Sequence, residues 1–347
     1  MSNSNKHLFK KPIHHLMSYK APFMIIDGPR GCGKTVEAIQ ICMERFEAGK
    51  GMFVWIRDDE EGIMQAFGKD GSKMSRNLSF NYPDRPNDVK VIRDHVYIDG
   101  KHCGYALRLS TPEKFKGGGY EAIGTVVYDE FVEEQFSRKR KVKGKMELIL
   151  SLLESTARMN DIIVIMLANR FSLYNEVYRY FGFKHAPGTK VERSPIKYIN
   201  GNGNLVDLGK DVICAHLNPV EYIQAKRETL LGRIAGVSDY GKFMYDNIPM
   251  DSDMLTFKTL PNDVRPAYNI KITDEWFSLW YDSANTYYIR NRKTPNIEAR
   301  CLDLSEVEAG VPYIGDKSIN SLRNHIKEGK VLFQTNATRQ RWFEALL

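Results

Sequence analysis

The chain has 347 residues, 42% of them hydrophobic and 27% charged. That balance excludes a disordered or fibrous protein and suits two domains with sizeable cores. No apolar run approaches the roughly 20 residues of a membrane-spanning helix. The basic stretch from Met1 to Lys11 lacks the apolar segment of a secretory signal. The five cysteines (Cys32, Cys42, Cys103, Cys214 and Cys301) are scattered without a CxxC pair, and the histidines add no metal-site spacing to them. Free thiols in a cytosolic protein are expected. The net charge of +7 suits an acidic polymer as partner without specifying one.

In chain order, the apolar run Phe23 to Ile26 predicts a strand, and Val36 to Met43 carries helical spacing. Between them lies Gly28-Pro29-Arg30-Gly31-Cys32-Gly33-Lys34-Thr35, which fits the phosphate-binding G-x-x-x-x-G-K-[ST] loop. Met52 to Arg57 predicts a second buried strand. Residues 58 to 90 are polar and read as a helix followed by a loop. Val96 to Lys101 and Tyr105 to Leu109 predict a hairpin turning at Asp99-Gly100. Thr125 to Tyr128 and Ile162 to Ala168 read as buried strands, with an amphipathic helix over 146–158 between them. Strands alternating with helices predict an α/β fold with a mostly parallel sheet.

The composition shifts near Ala186-Pro187-Gly188 towards turn-rich sequence. A helical stretch over 219–232 follows, and Pro249 to Pro266 forms another loop-rich boundary. Beyond it come an aromatic hairpin, Trp276 to Tyr281 and Thr286 to Ile289, and two amphipathic helices over 318–328 and 336–347. The expected organisation is a nucleotide-binding domain over 1–190, a connecting module over 191–250 and a small C-terminal domain over 251–347.

Within the loop, glycines at 28, 31 and 33 let backbone N–H groups turn towards phosphate oxygens, Arg30 and Cys32 included. The helix opening near Lys34 adds its positive end. Lys34 is expected on the β and γ phosphates of ATP, and the Thr35 hydroxyl on Mg²⁺. Val126-Val127-Tyr128-Asp129-Glu130 delivers two acids at a strand's C-terminal end, where ligands of α/β sheets sit. Asp129 is expected to share the Mg²⁺, and Glu130 to polarise an attacking water. Asn169 ends the next strand and either senses the γ phosphate or satisfies a turn. Arg158 is either a helix-end cation or an arginine finger for a neighbouring subunit. Arg30 and Arg57 are cations placed to face phosphate or solvent. Arg138, Lys139, Arg140, Lys141, Lys143 and Lys145 form a basic run that is either a solvated loop or a DNA-backbone contact. Lys114 and Lys116, beside three glycines, pose the same choice. Asp274, Glu275, Asp282 and Asp303 show no two-metal spacing and read as surface acids.

The chain resembles the DNA packaging ATPases of phi29-like phages. The likeness rests on the Gly28 to Lys34 loop, the strand ending in Arg57, the Tyr97-Ile98-Asp99-Gly100-Lys101 turn, Asp129-Glu130-Phe131 and Leu167-Ala168-Asn169. It continues in Gly232-Arg233, Tyr240-Gly241 and Asp246-Asn247, and is fainter beyond residue 250. The resemblance implies an ASCE-class P-loop ATPase that pumps double-stranded viral DNA into a procapsid in the host cytoplasm. It implies a homo-oligomeric ring, five-fold in the family, docked at the portal vertex, in some members with a packaging RNA. It places Arg158 near the family's trans-acting finger. It implies an RNase H-like C-terminal domain, terminase-related, without a working nuclease site. An active nuclease motor, and a DNA-binding protein that uses nucleotide only as a switch, are the alternatives.

Overall fold

A strand that is apolar at every position needs cover on both faces, and several such strands make the middle of a nine-stranded sheet. The computed structural model describes residues 13–83, 88–111, 122–132, 142, 144–156, 162–169, 175–183, 190–235, 256–327 and 330–346. The chain divides into two compact units, residues 1–250 and 251–347.

In the first unit, β1 (Phe23–Gly28) leads through the glycine loop into α1 (Lys34–Glu47), and β2 (Met52–Arg57) follows. The polar stretch after β2 holds more structure than its composition suggests. It contains α2 (Glu60–Phe67), α3 (Ser72–Asn81) and a strand, β3 (Val89–Ile92). The Asp59 carboxylate caps α2 by accepting from the Gly62 N–H at 2.7 Å. The predicted hairpin is β4 (His95–Ile98) and β5 (Lys101–Arg108). Next come β6 (Ile123–Asp129), α4 (Lys145–Thr156), β7 (Ile163–Asn169) and α5 (Glu176–Tyr180). The strand order is β3-β4-β5-β2-β6-β7-β1-β9-β8. Every neighbouring pair from β5 to β9 is parallel.

The two-residue period of a strand sorts its side chains between two cores. Phe53 and Trp55 of β2 join Ile39, Phe67 and Leu78 on one face. Val54 and Ile56 join Met146, Ile149 and Tyr178 on the other. Helices therefore cover both faces, and the ends of the parallel strands are where α1, the acids and Asn169 meet.

The separate connecting module expected over 191–250 is not what the described residues form. β8 (Val191–Ile199) and β9 (Leu205–His216) are an antiparallel pair, and β9 hydrogen-bonds to β1 in the same sheet. The single helical stretch expected over 219–232 is two helices, α6 (Val220–Glu228) and α7 (Leu230–Ala235), interrupted at Thr229.

The second unit is a smaller α+β body. β10 (Arg265–Ile272), β11 (Glu275–Tyr281) and β12 (Tyr287–Arg290) form an antiparallel meander. β13 (Ala299–Cys301) lies parallel to β10, and β14 (Val331–Phe333) parallel to β12. α8 (Asp316–Lys327) and α9 (Asn336–Leu346) supply Ile319, Leu322, Trp342 and Leu346 to its core. Trp342 meets Phe277 edge-on at 6.0 Å.

Candidate nucleotide site

The loop after β1 has the conformation its glycines permit. Gly31 and Gly33 take φ of 82° and 94°, the left-handed region that favours glycine. Gly33 is the N-cap of α1, so the helix begins at Lys34 with its N–H groups facing the loop. The buried Lys34 ammonium donates to the carbonyls of Gly28 (3.0 Å) and Pro29 (2.9 Å), and lies 3.4 Å from Asn169 Oδ1. All three acceptors are neutral, and among the described residues no carboxylate pairs with Lys34. The Cys32 Sγ lies 3.7 Å from the same ammonium, and a buried cation among neutral groups suits an anion. Asn169 reaches it because β7 lies beside β1 with Asn169 opposite Gly28.

Across the sheet, β6 ends at Asp129. The Thr35 hydroxyl donates to Asp129 Oδ1 at 3.2 Å. Arg57, ending β2, donates through Nη2 to Asp129 Oδ2 at 2.6 Å and through Nη1 to Glu130 Oε2. Glu130 takes φ of 59°, which turns the chain sharply at the strand end and leaves its side chain 40% exposed beside the fully buried Asp129. Burial pushes the Asp129 carboxyl up from its ordinary value, against the pull of the Arg57 charge. For Arg57, burial opposes its charge, but Asp129 and Glu130 outweigh it and hold the guanidinium above its usual value.

The structure thus brings together Gly28, Arg30, Gly31, Cys32, Gly33, Lys34, Thr35, Asp129, Glu130 and Asn169, and adds Arg57 as a partner of both acids. Arg158, Lys114, Lys116, Arg138, Lys139, Arg140, Lys141 and Lys143 lie outside the described residues. Lys145 is corrected. It is 7% exposed, and its ammonium donates to Asp58 Oδ2 at 2.8 Å and to the Phe131 carbonyl at 3.1 Å, 5.9 Å from the centre of the Tyr128 ring. The Tyr128 hydroxyl donates to the same Asp58 carboxylate. Lys145 closes the start of α4 against β6 and is not presented to a DNA backbone.

Two groups were not read from the sequence. Asp27, fully buried just before the loop, accepts from Tyr178 Oη at 3.0 Å and pairs with His216 Nδ1 at 2.7 Å, while His216 Nε2 lies 3.4 Å from Glu192. On α6, Tyr222 and Lys226 both donate to the Arg30 carbonyl. Helical spacing of Tyr222 and Lys226 was the available signal; the Asp27 group had none, because its members are 24 to 189 residues apart.

In the second unit, Glu275, Asp282 and Asp303 serve local structure. Asp282 accepts from the Ala284 and Thr286 N–H groups and from Tyr288 Oη. Asp303 caps a 3-10 turn, and Glu275 pairs with Arg341. Among the described residues, they form no grouping of three metal-type donors.

A mostly parallel sheet, a glycine loop opening a helix, and paired acids at the end of β6, one strand removed from β1, define a P-loop protein. The chain belongs to the Podovirus DNA encapsidation protein (Gp16) family, whose model matches residues 4–304. It is similar to the DNA packaging protein of Bacillus phage phi29, 23% identical over 279 residues that cover 80% of this chain and 77% of that protein. It is also similar to the DNA packaging protein of Bacillus phage B103, 21% identical over 337 residues covering 95% and 98%. In fold it is similar to a chain of the bacteriophage phi29 viral genome packaging motor assembly, with a TM-score of 0.64 at 19% identity, covering 97% of this chain and 98% of that one.

Proposed function

We propose that this protein is an ATP-hydrolysing motor that translocates double-stranded viral DNA into a procapsid during genome packaging. The observation that carries the reading is the buried Lys34 ammonium, held by neutral groups, beside Thr35, whose hydroxyl bonds Asp129, in a chain of the encapsidation family.

In this reading the N–H groups of residues 31 to 35 cradle phosphate oxygens, and Lys34 takes those of the β and γ groups. Thr35 Oγ1 and Asp129 Oδ1 are hard oxygen donors 3.2 Å apart, a pair that suits Mg²⁺ and would hold it. When bound, the ion neutralises charge on the phosphate oxygens. Glu130 accepts the proton of the attacking water. To do so its carboxylate has to leave Arg57, which its exposed position allows. Asn169 couples Lys34 to β7 and so registers whether Lys34 is engaged by phosphate. Arg158 completes the site of a neighbouring subunit in a ring, five-fold by likeness to the family.

The ring docks at the portal vertex of the procapsid in the host cytoplasm, in the manner of motors that also use a packaging RNA. Lys114, Lys116 and the cations from Arg138 to Lys143 contact the DNA backbone. The C-terminal unit is a nuclease-type domain without nuclease activity.

The test is steady-state phosphate release by the full chain, with and without double-stranded DNA at low salt. DNA is expected to stimulate the rate. Glu130→Gln is expected to lower it by at least about 10²-fold, the usual worth of a general base, while nucleotide binding stays within about twofold. Unchanged turnover in Glu130→Gln would favour a protein that uses nucleotide only as a switch. Cleavage of a plasmid with Mn²⁺, lost in Asp282→Ala, would establish an active nuclease instead.

A further inference from the structure

Four side chains of metal-binding type meet on one face of three adjacent strands, next to the phosphate loop. Cys214 and His216 are two apart on β9, so the period of a strand puts both on the same face. His216 stands opposite Asp27 of β1, and Cys214 opposite Glu192 of β8. The donor atoms of Asp27, Cys214 and His216 lie within 4.8 Å of one another, and all three residues are buried. His216 Nε2 is 4.0 Å from Cys214 Sγ and 3.4 Å from Glu192 Oε1. Cys-x-His is no zinc-motif spacing, and both carboxylates come from other strands, so the sequence does not reveal the group.

The imidazole is oriented as a ligand. Asp27 Oδ2 lies 2.7 Å from Nδ1 and also accepts from Tyr178 Oη at 3.0 Å. A carboxylate only accepts, so Nδ1 carries hydrogen and Nε2 is the atom turned towards Cys214 and Glu192. A carboxylate behind a histidine is the usual outer partner of a metal-ligating imidazole. Zinc bonds of about 2.0–2.2 Å to nitrogen and oxygen and about 2.3 Å to sulfur set tetrahedral ligands roughly 3.4 Å apart for N and O, and roughly 3.6 Å apart for N and S. The first separation is present already, and the sulfur has to close by about 0.4 Å. Glu192, with 13% of its side chain exposed, is the donor with room to swing towards Cys214, its partner across the ladder.

We propose that this group is a zinc site in which His216 Nε2, Cys214 Sγ and a Glu192 oxygen are the ligands, Asp27 positions the imidazole, and Tyr178 holds Asp27. A set of imidazole, thiolate and carboxylate suits a borderline-soft ion and not Mg²⁺, which takes oxygens. The site is therefore distinct in chemistry from the Thr35–Asp129 pair. Three protein ligands leave a fourth position, which water takes in zinc sites of this kind. On binding, the Cys214 thiol loses its proton, and Nε2 loses the proton that pairs it with Glu192. Both go to solvent, so a divalent ion enters without changing the net charge of the buried group. The ion ties β8 and β9 to β1 at the residue that leads into the phosphate loop. The inference holds whether or not that loop binds nucleotide.

The experiment strips the full-length protein with EDTA, dialyses it, and titrates it with Zn²⁺ against a chromophoric chelator. A second titration uses Co²⁺, whose bond to a thiolate gives a strong near-ultraviolet band. The wild-type chain is expected to take one Zn²⁺ from the chelator, to show the Co²⁺ band, and to gain in Tm when Zn²⁺ is added. Cys214→Ser nearly keeps the side chain's size, and is expected to lose the band and the Tm gain. Asp27→Asn is expected to keep the band and to weaken Zn²⁺ by about 10- to 100-fold, as for loss of an outer partner. Glu192→Gln, the change that disturbs the core least, is expected to keep the band and to weaken Zn²⁺ as well. A wild-type chain without the band would overturn the assignment. So would a band that survives in Cys214→Ser, which would place the ion on another cysteine.

Discussion

Arg57 Nη2 lies 2.6 Å from Asp129 Oδ2, and the other end of the same guanidinium holds Glu130. One buried cation therefore carries the neutralisation of both acids. Asp129 takes the larger share of that cation's donors. It accepts from Nε and Nη2 together, which is the planar fork that lysine does not reproduce.

Arg57→Ala is expected to destabilise the protein by about 3–5 kcal/mol, because it strands a buried carboxylate. In a domain of this size that corresponds to a fall in Tm of roughly 10 °C. Arg57→Lys keeps the charge without the fork and should fall between the two. Thermal melts of the three proteins check this ordering.

The raised pKa of Asp129 fixes the sign of a pH effect. Folding favours the protonated carboxyl, so its contribution is present below the unfolded carboxylate range. It is lost as pH rises through the higher, folded value. Asp129→Asn has no such group. The Tm of Asp129→Asn minus that of the wild-type chain should therefore grow more positive as pH rises above the ordinary carboxylate range. A difference that shrinks over this range would mean that the Arg57 charge outweighs burial.

Lys145 and the run before it should separate in a salt titration. Replacing Arg138, Lys139, Arg140 and Lys141 together by glutamine is expected to flatten the dependence of DNA affinity on salt. The slope should change by about 0.9 for each phosphate that the protein no longer neutralises. Lys145→Ala is expected to leave that slope alone and to lower Tm, since it breaks the pair with Asp58.

Arg158 is tested by mixing. If it completes a neighbour's site, Arg158→Ala subunits should depress the ATPase rate of mixed rings more than their fraction predicts. A rate linear in the wild-type fraction would confine Arg158 to its own subunit.

The phosphate loop and the acids were legible because each is a local pattern. Glycines need no distant partner to adopt positive φ, and an apolar strand announces its end by its first charged residue, Asp129. The outer strands were not legible in this way. β9 opens with Leu205 and Leu208 exposed and buries only its last five residues, Val212 to His216, so neither alternation nor an apolar run marks its full length. The turn Asn200 to Asn204 then read as a linker when it is a hairpin tip. Lys145 misled for the converse reason. It follows five cations in sequence, yet its partner Asp58 comes from the end of β2, 87 residues away, and only the fold joins them.

The position of β1 in the sheet has a consequence for biosynthesis. Its two neighbours are β7, which places Asn169 opposite Gly28, and β9, which places His216 opposite Asp27. During translation the strand that carries the phosphate loop waits about 140 residues for one partner and about 190 for the other. Contacts of such long range form slowly, and both edges of an apolar strand stay open in the meantime. The nucleotide loop is made well before the two strands that flank β1, and is finished only when they arrive. A ribosome-bound chain that ends before residue 216 should lack the pairing that holds Asp27, the residue before the loop. Nucleotide supplied early would then meet a loop not yet able to hold it.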